Sequence, residues 1–248
     1  MRKITVACFS PSGRTHQAAE KMAQLLGDSV RWIDLIDPEQ RKAKLGQEEL
    51  LVLALPVYAG RIPAVEGLLD GLWGHNTPCV LLAAYGNRHY DEALAQMRRL
   101  MKERGFCCVG AAAVITPHVF APDLGAGRPD TADLEQLRGF AAQVNEKLER
   151  GVWDEFPLPG QPDPEPKKAV PVPKYRDADK CVRCGLCARR CPALAMDRET
   201  LEWDEARCIS CMACVFACPE GALSFEAAPL QERLTANFSQ PRPVELFV

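Results

Sequence analysis

Over the first 150 residues, short apolar runs alternate with amphipathic stretches, and the runs themselves lack a clean apolar–polar alternation. Continuous apolar strands of this kind are covered on both faces, as in a parallel sheet layered between helices. The pattern predicts strands over residues 4–9, 30–35, 50–55, 79–84 and 107–115, and helices over 13–26, 64–72, 90–104 and 131–150. Five strands joined by crossover helices predict a doubly wound α/β sheet in the order 2-1-3-4-5. Such sheets bind ligands outside the carboxyl ends of their strands, so the loops after strands 1, 3 and 4 are where chemistry is expected.

The pattern ends near residue 152. Beyond it Pro157, Pro159, Pro162, Pro164, Pro166, Pro171 and Pro173 crowd one segment, which excludes helix and inner strand and predicts an extended, semi-rigid spacer. The expected organisation is a first domain over 1–152, a proline-rich linker over 153–173, a small second domain over 174–226 and a tail over 227–248. The tail has no clear period, and its apolar end, Leu246 to Val248, either docks or frays. A chain of 248 residues with net charge −3 carries little message about partners, but scattered basic residues and 7% aromatics argue against nucleic acid. No apolar run is long enough to span a membrane. The first run stops at Ser10-Pro11-Ser12-Gly13, which is unlike a secretory signal, so a reducing cytoplasm is the expected setting.

Cysteine changes the picture most. Eight of the twelve cysteines form two copies of C-x2-C-x2-C-x3-C-P, Cys181, Cys184, Cys187, Cys191 and then Cys208, Cys211, Cys214, Cys218, offset by 27 residues throughout. Structural zinc would leave the third cysteine of each triplet unexplained, and a disulfide framework suits small secreted chains. The remaining Cys8, Cys79, Cys107 and Cys108 lie in or beside apolar runs and are expected as buried strand thiols. The pattern resembles that of bacterial two-cluster ferredoxins. That resemblance implies two [4Fe-4S] clusters whose fourth ligand comes from the other copy. Cluster I would be held by Cys181, Cys184, Cys187 and Cys218, and cluster II by Cys208, Cys211, Cys214 and Cys191. Residues 174–226 hold 8 basic and 9 acidic residues, so Arg183, Arg189, Arg190 and Arg207 beside the ligands either raise cluster potentials, dock an acidic partner or are merely solvated.

Three loops carry the chemistry of the first domain. Ser10-Pro11-Ser12-Gly13-Arg14-Thr15 leads from strand 1 into a helix, where hydroxyls and backbone N–H groups at a helix N-terminus can hold a phosphate or simply cap. Pro56-Val57-Tyr58-Ala59-Gly60-Arg61-Ile62-Pro63 follows strand 3, with a tyrosine able to lie on a flat ring. Tyr85-Gly86-Asn87-Arg88-His89-Tyr90 follows strand 4 and again joins glycine, amide and aromatics. The first loop looks like the phosphate loop of flavodoxins, although Pro11 stands where a hydroxyl residue is common. The other two resemble the flavin-ring loops of flavodoxin-like domains fused to bacterial ferredoxins.

The whole chain resembles that fused family, and the resemblance implies FMN. Its phosphate would be held by Ser10, Ser12, Gly13, Arg14 and Thr15, and its ring bracketed by Pro56, Val57, Tyr58, Ala59, Gly60, Arg61 and Ile62 and by Tyr85, Gly86, Asn87 and Tyr90. FMN beside iron–sulfur clusters implies an electron-transfer protein that couples one- and two-electron redox partners, such as a ferredoxin- or flavodoxin-type donor or acceptor or an oxidoreductase. Two alternatives stand beside it. One is an FMN-dependent reductase of a small organic substrate, bordered by Tyr58, Tyr90 or His118; the other is a redox or oxygen sensor. No G-x-G-x-x-G follows a strand, which argues against direct use of NAD(P)H.

Overall fold

The computed structural model describes residues 2–151, 153, 155–165, 167 and 171–248, so the end of the expected first domain at 152 and Pro166 of the linker lie outside the described residues. Strands β1 (Lys3–Cys8), β2 (Val30–Asp34), β4 (Glu49–Pro56), β6 (Thr77–Tyr85) and β7 (Phe106–Ile115) form the parallel core, in the spatial order β7-β6-β4-β1-β2. Counted along the chain this is the expected 2-1-3-4-5, the flavodoxin-like order. β6 is buried from end to end, which is why its sequence reads as an unbroken apolar run. Right-handed crossovers place α1 (Arg14–Leu26) and α2 (Ala93–Glu103) on opposite faces, because β2 lies to one side of β1 and β7 to the other side of β6. α3 (Thr131–Arg150) packs beside α1, and its Phe140 and Val144 lie against Gly110 of β7.

The expected helix over 64–72 does not form. Gly67, in the left-handed region (φ 66°), and Gly71 interrupt it, and the chain instead forms β5 (Gly71–Gly74), which pairs in parallel with β3 (Lys42–Leu45). α2 starts three residues later than its periodicity suggests, because Asp91 takes a left-handed φ of 42° and Tyr90 turns inward, 1% exposed.

In the second half β8 (Lys174–Arg176) pairs antiparallel with β9 (Leu223–Phe225) and closes the cysteine-rich module. Between them lie two one-turn helices, α4 (Leu186–Arg189) and α5 (Ala213–Phe216). The tail docks. Its α6 (Ala228–Phe238) buries Leu234 against Ala121 and Leu124, and β10 (Glu245–Phe247) adds an antiparallel sixth strand to β7. Residues 156–165 run along the first domain: Arg98 Nη1 donates to Phe156 O at 2.6 Å and Arg99 Nε to Pro162 O at 2.9 Å.

The cysteine module sits over the carboxyl ends of the sheet strands. At β2, the buried Arg41 donates to Leu35 O at 2.8 Å and to Pro192 O at 2.9 Å, and Arg190 pairs with Asp34 at 2.6 Å. Beyond β4, Ile209 of the cysteine module packs on the main core, as does Tyr58. Beyond β7, Phe120 meets Phe225 edge-on at 5.6 Å.

Candidate functional site

The two cysteine triplets fold alike because each places a left-handed residue at the same two offsets. Arg183 (φ 53°) and Gly185 (φ 72°) in the first copy correspond to Ser210 (φ 51°) and Met212 (φ 61°) in the second. These kinks wrap each loop around a cavity. Cys181, Cys184, Cys187 and Cys218 line one cavity, and Cys208, Cys211, Cys214 and Cys191 line the other. The structure thus brings together both quartets that the ferredoxin resemblance implies, including the exchanged fourth member. That member is oriented equivalently in each: the Ala222 N–H donates to Cys218 Sγ at 3.3 Å and the Ala195 N–H to Cys191 Sγ at 3.2 Å.

Each quartet surrounds a cavity, and among the described residues no group of three or more His, Cys, Asp or Glu is placed to hold a single metal ion. Burial pushes the Cys211 thiol up to about 12 and the Cys214 thiol to about 11, and raises Cys187. Buried thiols of this kind ionise when a metal supplies the countercharge. The quartets therefore fit iron–sulfur clusters, which would give them that charge.

At the end of β1, Gly13 caps α1 in the left-handed conformation (φ 80°), and Ser10 Oγ accepts from the His16 N–H at 2.9 Å. The N–H groups of Arg14 and Thr15 stand in the first turn, where a helix leaves its donors unpaired. Arg14 Nη1 is buried with no hydrogen-bond partner, and burial lowers the guanidinium pKa. A desolvated cation and free first-turn donors at a sheet's carboxyl edge fit an anionic group. Ser12 and Gly13 lie at the open side of this loop, and Thr15 is buried.

The loop after β4 is a tight hairpin. Tyr58 and Arg61 exchange backbone hydrogen bonds of 2.8 and 3.0 Å across Ala59 (φ 49°) and Gly60 (φ 84°). Ile62 N–H donates to Gln96 Oε1 at 3.1 Å, and Pro56 and Val57 form the half-buried entry. The Tyr58 hydroxyl is raised by burial and by its neighbour Cys211, a member of the second quartet.

The loop after β6 is engaged differently from what its composition suggests. Asn87 is 4% exposed, and its amide meets the tail: Nδ2 donates to Phe238 O at 2.7 Å and Gln240 O at 2.9 Å, and Oδ1 accepts from Arg242 N–H at 3.0 Å. The Tyr90 hydroxyl donates to Glu245 at 2.7 Å, and buried Tyr85 lies beside Pro243 and Arg242. Gly86 is required because a Cβ there would stand 2.4 Å from His118. The tail is the partner that sequence reasoning missed; its contacts are mostly backbone atoms about 150 residues away, which leave no pattern.

His118 offers a pH test of this corner. Burial, aided by Arg14, drives its pKa down to about 4, and its Nδ1 is occupied as acceptor of the Phe120 N–H. Since the unfolded chain binds this proton near pH 6.5, stability is complete above that pH and is lost as pH falls toward 4, by up to about 3 kcal/mol. Thermal melting between pH 7 and 4.5 should show this fall, and His118→Gln should flatten it; identical pH slopes in the two proteins would refute the assignment.

Residues 173–219 match the family of 4Fe-4S dicluster domains. No curated protein matches the chain. Solved structures similar to it include a Streptococcus pneumoniae TIGR4 flavodoxin (16% identity, covering 58% of this chain and 98% of that one, TM-score 0.41). The Flv1 flavodiiron core of Synechocystis sp. PCC6803 is similar at 13% identity over 61% of this chain and 37% of that one, with a TM-score of 0.43. No helix of the described residues is long and apolar enough to cross a membrane.

Proposed function

We propose that the chain transfers electrons between two [4Fe-4S] clusters, ligated as the two quartets indicate, and an FMN at the carboxyl edge of the first sheet, serving redox protein partners. The observation that carries this reading is the seating of the second quartet's loop on the loop after β4, where Cys211 neighbours Tyr58 and Ile209 joins the main core. A flavin exchanges one or two electrons and each cluster exchanges one, so their adjacency couples the two kinds of partner. Arg14, Ser12 and the first-turn N–H groups of α1 hold the phosphate. The hairpin at Tyr58 supplies one wall for the ring. Gly86 supplies backbone on the other side, while Asn87 and Tyr90 fix the tail that backs this loop.

The flavin half of the reading is tested by Ser12→Asp, which sets a carboxylate against the phosphate. FMN affinity should fall at least about tenfold, or about 1.4 kcal/mol, while iron and acid-labile sulfide stay near eight per chain. Unchanged flavin binding would mean that the loop only caps α1.

A further inference from the structure

The short strand Lys174-Tyr175-Arg176 opens the cysteine module, and its period of two turns Tyr175 outward, 55% exposed, and the flanking cations inward. The Lys174 side chain is only 1% exposed and lines the cavity of Cys191, Cys208, Cys211 and Cys214. The Arg176 side chain is 16% exposed and lines the cavity of Cys181, Cys184, Cys187 and Cys218. Each cation is anchored in a comparable way. Lys174 Nζ donates to Val172 O at 3.1 Å and lies 3.5 Å from the carboxylate of Glu205. Arg176 donates to Leu201 O, stacks 4.8 Å over the Trp203 ring and lies 4.0 Å from Glu202. Both carboxylates are well exposed, so solvent screens them more than it screens the buried cations. Arg176 Nε is buried without a hydrogen-bond partner. An unpartnered guanidinium N–H on a residue that lines a cavity with four cysteines fits a negatively charged group there.

We propose that β8 supplies one buried cation to each cluster, Lys174 to the cluster of the second quartet and Arg176 to that of the first, and that each sets the potential of its own cluster. This rests on the reading that both quartets hold clusters. Reduction adds an electron and no compensating charge, so a nearby cation favours the reduced form and raises the potential. Because the two cations serve different cavities, their effects separate.

Potentiometric titration followed by EPR on the full, reconstituted chain tests this, with the two signals assigned from Cys218→Ala and Cys191→Ala. Lys174→Met should move only the second quartet's cluster, and Arg176→Met only the first's. At the wild-type midpoint the ratio of reduced to oxidised cluster should drop about tenfold, a 59 mV shift to lower potential. Lys174→Arg and Arg176→Lys, which keep the charge, should move their clusters much less. Two midpoints unmoved in Met variants that retain iron, or both moving together in either one, would overturn the proposal. Where a Met variant fails to take up iron, the Gln variant is read instead. Failure of both neutral variants with full assembly of the charge-keeping one would make the cation an assembly element and would equally overturn potential setting. A wild-type chain without iron or labile sulfide would instead remove the cluster reading itself.

Discussion

Cys218→Ala is expected to destroy the cluster at Cys181, Cys184 and Cys187, over 30 residues away in sequence, and to leave intact the one at its immediate neighbours Cys211 and Cys214. The cavity linings dictate this, because Cys218 faces the first triplet and Cys191 the second. The Ala222 N–H aimed at Cys218 Sγ would lose its acceptor as well. Cys191→Ala should give the mirror result. Iron content should fall from about eight to about four per chain in each variant, and EPR of the reduced proteins should retain complementary halves of the wild-type spectrum. A Cys218→Ala protein that kept the first quartet's signal and lost the second's would reverse the ligand assignment. Loss of both signals in both variants would mean that the two halves of the module cannot fold separately around one cluster, which the shared small core of Cys187, Ala188, Met196, Leu201 and Leu223 makes a stringent test.

The parallel sheet was legible because its central strands β4 and β6 are long apolar runs, and burial on both faces is what writes that pattern. The quartets were legible for a different reason: ligation demands a fixed local spacing, and the chain repeats it. What escaped the sequence is structure held by distant partners. β10 is three residues long and exists only because β7 offers an open edge. The helix expected over 64–72 was an amphipathic pattern overruled by glycines that serve β5. Asn87 has the composition of a ligand loop, yet its amide is saturated by tail carbonyls and one tail N–H. Nothing in the sequence sets Lys174, Arg176 and Arg41 apart from the other basic residues, and only their burial marks them. Exposure cannot be read from residue type when the cover comes from residues distant in sequence.

Arg41→Met should slow electron transfer between the clusters and the flavin at least about tenfold without removing either cofactor. Arg41 is 8% exposed and ties the first domain's Leu35 and Ile36 carbonyls to Pro192, the residue following the second quartet's Cys191. Hydrogen bonds from a charged donor contribute about 1.5–3 kcal/mol each, so losing the link to Pro192 lowers the docking equilibrium constant by at least about an order of magnitude. Arg190→Ala, at a pair that is one-third exposed, should do much less. Two further tethers remain in the variant, the linker along α2 and the tail through β10, and they keep the module at high effective concentration. Flavin reduction followed by stopped-flow absorbance should therefore be first-order and independent of protein concentration in both proteins, and slower in Arg41→Met. A wild-type rate that rises with protein concentration would show that electrons pass between chains, and would leave each module serving its own external partner.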